Sequence, residues 1–112
     1  MEPKQVDLAL MKEIQAEFNY RPKFSIVVPV YNVEERWLRR FIESVQSQVY
    51  PDWELCISDD CSTDPKIRPL LIHYAAADPR IKLVFRETNG HISAATNSAI
   101  DLATGDFMCL MD

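Results

Sequence analysis

Short apolar runs alternate with helical stripes along this chain, and that alternation leaves one broad architecture open. Phe24 to Val28 is a β-branched run ended by Pro29, as a buried strand would be. Next, Asn32 stands as a helix cap with Glu35 three positions on, in the manner of a capping box. Trp37, Leu38, Phe41, Ile42, Val45 and Val49 then share one helical stripe, with Arg36, Arg39, Arg40 and Glu43 mostly outside it as a solvated face. After the turn Pro51-Asp52, Trp53 to Ser58 reads as the second strand. Asp64-Pro65 starts a turn, and Pro69 delays the main helix to about Pro69–Ala77. Ile81 to Phe85 is a third strand behind Asp78-Pro79-Arg80. Ser93 to Ala103 is a small helical stretch with Gly105 as its C-cap, and Phe107 to Met111 is the fourth strand. Residues 6 to 18 add an opening helix, with Leu10, Met11, Ile14 and Phe18 on one face before Tyr20-Arg21-Pro22 breaks it. The order αβαβαβαβ predicts an α/β fold, a Rossmann-like parallel sheet with flanking crossover helices.

Such sheets bind ligands in the crevice outside the carboxyl ends of their strands. Here those ends carry Pro29-Val30-Tyr31-Asn32, then Asp59-Asp60-Cys61-Ser62-Thr63-Asp64, then Asp112. An aromatic, a carboxylate pair and a further carboxylate suit a polar ligand with donor groups, with or without a metal. Two adjacent acids just past a strand are costly unless solvated or used: one can cap the following turn, the other can accept from a ligand N–H or hydroxyl. Spacing alone leaves equally open that both are ordinary turn acids. Asn89-Gly90 reads either as a turn with positive φ or as a close backbone approach to ligand, and His91 as a phosphate partner or a plain helix-start residue. No G-x-G-x-x-G or G-x-x-x-x-G-K-S/T loop is present, so dinucleotide cofactors and P-loop hydrolysis find no support.

Composition narrows the class further. The 112 residues are 47% hydrophobic and 26% charged, ordinary globular usage that fits one small domain. A net charge of −5 argues against a nucleic-acid partner, since phosphate backbones need clustered Lys and Arg. It does not exclude a nucleotide, because a divalent cation bridges carboxylate to diphosphate. No stretch approaches the roughly 18 apolar residues of a membrane span. Met1-Glu2-Pro3-Lys4-Gln5 lacks the order of a signal peptide. Cys56 and Cys109 fall in apolar runs and read as buried small hydrophobes, Cys61 as a loop residue, and reduced thiols suit a cytoplasmic protein.

Five segments in order carry a resemblance. Phe24 to Asn32 and Ser44 to Leu55 resemble the first strand, loop and following turn of the family 2 glycosyltransferases, which have the GT-A fold. Ile57-Ser58-Asp59-Asp60-Cys61-Ser62-Thr63-Asp64 is similar to the family's D-D-x-S-x-D segment. Asn89 to Asn97 resembles its N-x-G/N-G…A-x-N segment, and Gly105 to Asp112 the run into its D-x-D motif. The resemblance divides the chain into an N-terminal helical extension, 1–23, and the nucleotide-sugar-binding part of a glycosyltransferase domain, 24–112.

By that resemblance the nucleotide-sugar site comprises Pro29, Val30, Tyr31, Asp60, His91, Asn97 and Asp112. Pro29 and Tyr31 would line the base pocket, and Asp60 would accept the ring N–H of uracil or thymine. His91 falls where some relatives place a basic residue near the diphosphate. Asp112 matches the first acid of D-x-D, near the ribose and the metal. The resemblance thus implies a UDP- or dTDP-linked sugar as donor, a divalent cation (Mn2+ or Mg2+) at an incomplete site, and a saccharide acceptor held elsewhere. The second metal acid and the general base that inverting transfer needs are expected beyond this segment, which alone should be inactive. The expected whole is a glycosyltransferase of cell-surface polysaccharide, cytoplasmic, with a peripheral place at the inner face of the membrane open to it. A non-catalytic nucleotide-sugar-binding module is the alternative. A receiver-type signalling domain is weaker, because Pro29-Val30-Tyr31-Asn32 stands where its acids would be. The apolar final strand is expected to leave an edge that drives self-association.

Overall fold

The computed structural model describes residues 22–111, less the side chains of residues 91 and 92. The opening helix expected over residues 6 to 18, nearly all of the 1–23 extension, and Asp112 lie outside the described residues. Four strands and three helices alternate: β1 (Phe24–Val30), α1 (Glu35–Gln46), β2 (Trp53–Asp59), α2 (Ile67–Ala77), β3 (Ile81–Phe85), α3 (His91–Ile100) and β4 (Phe107–Leu110). All pairings are parallel, in the order β3-β2-β1-β4. The α/β class read from the sequence is the one observed.

The period of two sorts each strand between two faces. Ile26, Val28 and Val30 of β1 and Leu55 and Ile57 of β2 meet Leu38, Ile42 and Val45 of α1 and Ile67 and Leu71 of α2 in the larger core. Full burial of each such side chain contributes about 2 kcal/mol. Val27, Cys56 and Ala99 form the smaller core beneath α3. Burial pushes the Cys56 thiol up to about 11, in keeping with a small inert hydrophobe. Right-handed crossovers place α1 and α2 on one face while the sheet grows from β1 to β3. The chain then returns past β1 to β4, and the same handedness puts α3 on the opposite face. Among the described residues no helix is long and apolar enough to cross a membrane.

Several boundaries depart from the sequence reading. β1 runs through Pro29 to Val30, because Val27 and Pro29 face β4, and the Met111 N–H bond to the Val27 carbonyl (2.8 Å) is the last described bond on that side. The missing donor of Pro29 thus falls past that final described bond. α2 begins at Ile67, with Pro69 in its first turn, where backbone N–H groups have no helical partner. α3 starts at His91 and ends at Ile100, and its cap is Asp101. Gly105 is therefore no C-cap. It is needed for space, since a Cβ there would lie 2.5 Å from Ser25 Oγ and 2.7 Å from the Lys23 carbonyl. Neither Gly105 nor Gly90 has positive φ. Val49 is 76% exposed, beyond the end of α1.

Candidate functional site

Strand order reverses at β1, and open α/β sheets take their ligands outside the carboxyl ends of the strands beside such a point. Backbone hydrogen bonds stitch this end together. The Asp60 N–H donates to the Val30 carbonyl and the Arg86 N–H to the Asp59 carbonyl, each at 2.8 Å.

The two adjacent acids take different partners, and Asp59 is the one that caps the turn. Asp59, fully buried, accepts from the Ser62 hydroxyl and from the Ser62 N–H (3.4 Å), capping the turn, with Arg68 Nε 3.9 Å away. Asp60 is 3% exposed and faces other partners. Its Oδ1 accepts from Arg86 Nε at 2.8 Å and from the Gly90 N–H at 3.0 Å, and its Oδ2 lies 3.2 Å from the same N–H. A carboxylate has about four lone-pair positions, so Oδ2 keeps capacity to accept from a ligand donor. Arg86 reaches on to α3, donating from Nη1 to Ser98 Oγ (2.6 Å) and to the Ala94 carbonyl (3.3 Å). A lone arginine after a strand carries no periodic or motif signal that would single it out.

Asn32 is not the cap of α1. That place falls to Glu34, and no side chain caps the helix. Asn32 instead sits at φ 46°, a left-handed conformation that asparagine tolerates, and fastens the loop after β1 to the loop after β2. Its Oδ1 accepts from the N–H groups of Thr63 (2.9 Å) and Asp64 (3.0 Å). Its Nδ2 donates to Thr63 Oγ1 (3.0 Å) and its N–H to Ser62 Oγ (2.9 Å). Cys61, beside the acid pair, is likewise left-handed, at φ 61°.

Among the described residues, the structure does not gather the others read from the sequence into one cluster around Asp60. Pro29 is half-buried near the end of β1, and Tyr31, just past that end, is 48% exposed. Val30 belongs to the larger core, 1% exposed. Asn97 is exposed in the second half of α3, where its carbonyl accepts from the Asp101 N–H at 3.1 Å. His91 opens α3, and Asp112 lies outside the described residues. Among the described residues no three His, Cys, Asp or Glu side chains gather as a metal site.

At the opposite end of the sheet lies a cluster the sequence reading passed over. Glu54, in the apolar strand β2, is 1% exposed. It accepts from Ser25 Oγ (2.5 Å), the Thr104 N–H (2.5 Å) and Thr104 Oγ1 (3.1 Å), and pairs with Lys82 (2.6 Å) and Lys23 (3.3 Å). Burial alone would raise its carboxyl, but Lys82, Ser25, Thr104 and Lys23 together hold it at about 2. The available signal was a glutamate inside an otherwise apolar run.

Comparison with known proteins gives this geometry a context. A model of the family described as Glycosyl transferase family 2 matches residues 25–112. The O-antigen biosynthesis protein RfbC of Myxococcus xanthus is 37% identical over 107 residues, covering 96% of this chain and 8% of its own. Among solved structures, the mannosyltransferase PcManGT from Pyrobaculum calidifontis, in complex with GDP-Man and Mn2+, matches with TM-score 0.70 and 28% identity over 80% of this chain and 26% of that one. TarS 1-349 of S. aureus, in complex with UDP-GlcNAc, matches with TM-score 0.68 and 31% identity over 79% of this chain and 25% of its own. The chain therefore spans between 8% and 26% of the length of these relatives.

Proposed function

The chain belongs to glycosyl transferase family 2, and on that premise we propose that it forms the donor half of a glycosyltransferase. The reaction is transfer of a sugar from a nucleoside diphosphate to a hydroxyl acceptor, inverting and metal-assisted, in building cell-surface polysaccharide. The donor base is uracil or thymine. The observation that carries this reading is Asp60, a buried carboxylate at the carboxyl end of β2, beside the point where strand order reverses, with Oδ2 still able to accept. Uracil and thymine offer it a ring N–H between two carbonyls, and desolvation makes such a bond count. The UDP-GlcNAc complex of TarS supports the class of donor, and the O-antigen relative supports the polysaccharide product.

Pro29 and Tyr31 border the base on the β1 side, Val30 backs them from the core, and His91 and Asn97 belong to the helix on the diphosphate side. A divalent cation, Mn2+ or Mg2+, with Asp112 toward it, rests on the match to D-x-D and on the Mn2+ in the mannosyltransferase. The described residues do not by themselves assemble a metal site, so the chemistry assigned to them is binding and orienting the donor. The base that takes the acceptor proton is assigned to the remainder of the parent protein. A cytoplasmic location is part of the reading, supported by the three free thiols.

Calorimetric titration with uridine and adenosine diphosphates tests the proposal. Uridine diphosphate should bind in preference, because adenine presents an acceptor, not a donor, at its ring nitrogen. Asp60→Ala should weaken it by about 1–3 kcal/mol, the usual cost of a buried donor left unpaired. Equal binding of both nucleotides, or indifference to Asp60→Ala, would refute the base-pocket assignment.

A further inference from the structure

We propose that Arg86 is a positioning residue for base selection: it holds the Asp60 carboxylate as a fixed acceptor, so that the polarity of a base's ring nitrogen decides which nucleotide binds. The inference rests on the donor reading above.

An aspartate carboxyl turns easily about its terminal bond, whose rotamer wells are broad. Here one oxygen is taken by Arg86 Nε at 2.8 Å, and the Gly90 N–H lies 3.0 and 3.2 Å from the two oxygens, so rotation breaks both contacts. The arginine is itself held. Its backbone N–H is bound to the Asp59 carbonyl (2.8 Å), and its planar guanidinium is braced by Ser98 Oγ (2.6 Å) and the Ala94 carbonyl (3.3 Å). Gly90 belongs to the same device, since a Cβ there would lie 2.5 Å from Arg86 Nη2. A fixed carboxylate welcomes a ring N–H and repels a ring lone pair. Uracil N3 and guanine N1 carry the hydrogen, whereas cytosine N3 and adenine N1 carry the lone pair. The nucleotides in the two structural relatives, UDP and GDP, both fall in the first class. Rejection of the mismatched base then comes from an unpaired buried acceptor as much as from lost attraction.

The test compares UDP with CDP, two pyrimidine nucleotides of equal size that differ in this polarity, by calorimetry on the intact protein, with thermal melts to check folding. The wild type should prefer UDP by at least about tenfold. Arg86→Ala should cut the UDP/CDP ratio severalfold or more, and Ser98→Ala should cut it less, through the arginine's lost brace. The serine variant decides the matter if Arg86→Ala does not fold. An arginine that only stabilises the fold would shift Tm and both affinities together and leave the ratio alone; that result in a folded Arg86 or Ser98 variant overturns the proposal. Asp60→Asn separates this failure from that of the donor reading. Its amide should reverse the preference toward CDP if Asp60 reads the base, and an unchanged ratio would sink both.

Discussion

Glu54 occupies a position that hydrophobicity would give to valine or isoleucine, and its surroundings explain how the strand tolerates it. Two lysines, two hydroxyls and a backbone N–H all point at one carboxylate, so the charge leaves water without leaving its partners. The pKa displacement fixes the sign of its pH dependence. A carboxyl lowered from 4.5 to about 2 on folding contributes stability that is complete above pH 4.5 and lost as pH falls toward 2. That contribution is about 3 kcal/mol. Glu54→Gln should therefore lower stability at neutral pH by about 2–3 kcal/mol and flatten the acid limb over that window, measured by urea denaturation across a pH series. A variant with the wild-type acid limb would show that the charge does not matter there. The contrast with Asp59-Asp60 marks how far residue types can be read without coordinates. Paired acids at the end of an apolar run advertise themselves, whereas Glu54 and Arg86 acquire their roles only from neighbours distant in the chain.

At the level of elements, order and type were legible because each apolar stripe or run has the period of the structure it forms. The ends were less so, because tertiary partners decide them. Asn32 with Glu35 satisfies the local pattern of a capping box, yet its side chain finds three bonding partners in the loop after β2, at Thr63 and Asp64, and takes those instead. Pro29 looks like a stop until the sheet order places its missing N–H beyond the final described bond to β4. The asparagine clamp gives a clear expectation. Asn32→Ala loses the side-chain bonds and sets a Cβ without compensation at φ 46°, and should cost about 2–4 kcal/mol. Asn32→Gly removes the same bonds without the conformational penalty and should cost about 1 kcal/mol less. Chemical denaturation of the two variants measures the difference; equal losses would show that the backbone there is unstrained.

For the molecule as a whole, family and fold class were within reach of five ordered segments, and both stand. The strand order β3-β2-β1-β4 was not, because alternation of elements says nothing about the side on which the fourth strand joins. That side matters: β4 is an edge among the described strands, with Phe107 37%, Met108 47% and Leu110 57% exposed. Unpaired edge groups beside apolar side chains recruit another chain. Sedimentation of the 112-residue protein over a concentration series should reveal species above 12.9 kDa, and a monomer throughout would show the edge to be covered. The same arrangement carries a kinetic corollary. Phe24 pairs with Trp53 on one side and with Phe107 on the other, closures of 29 and 83 residues. The longer closure costs about 1 kcal/mol more in chain entropy. During synthesis β4 also leaves the ribosome after β1, β2 and β3, so those three can assemble into a nascent sheet while the far flank of β1 still waits for its neighbour. In that interval the flank is open to chaperones and to other nascent chains, and docking of β4 ends the exposure.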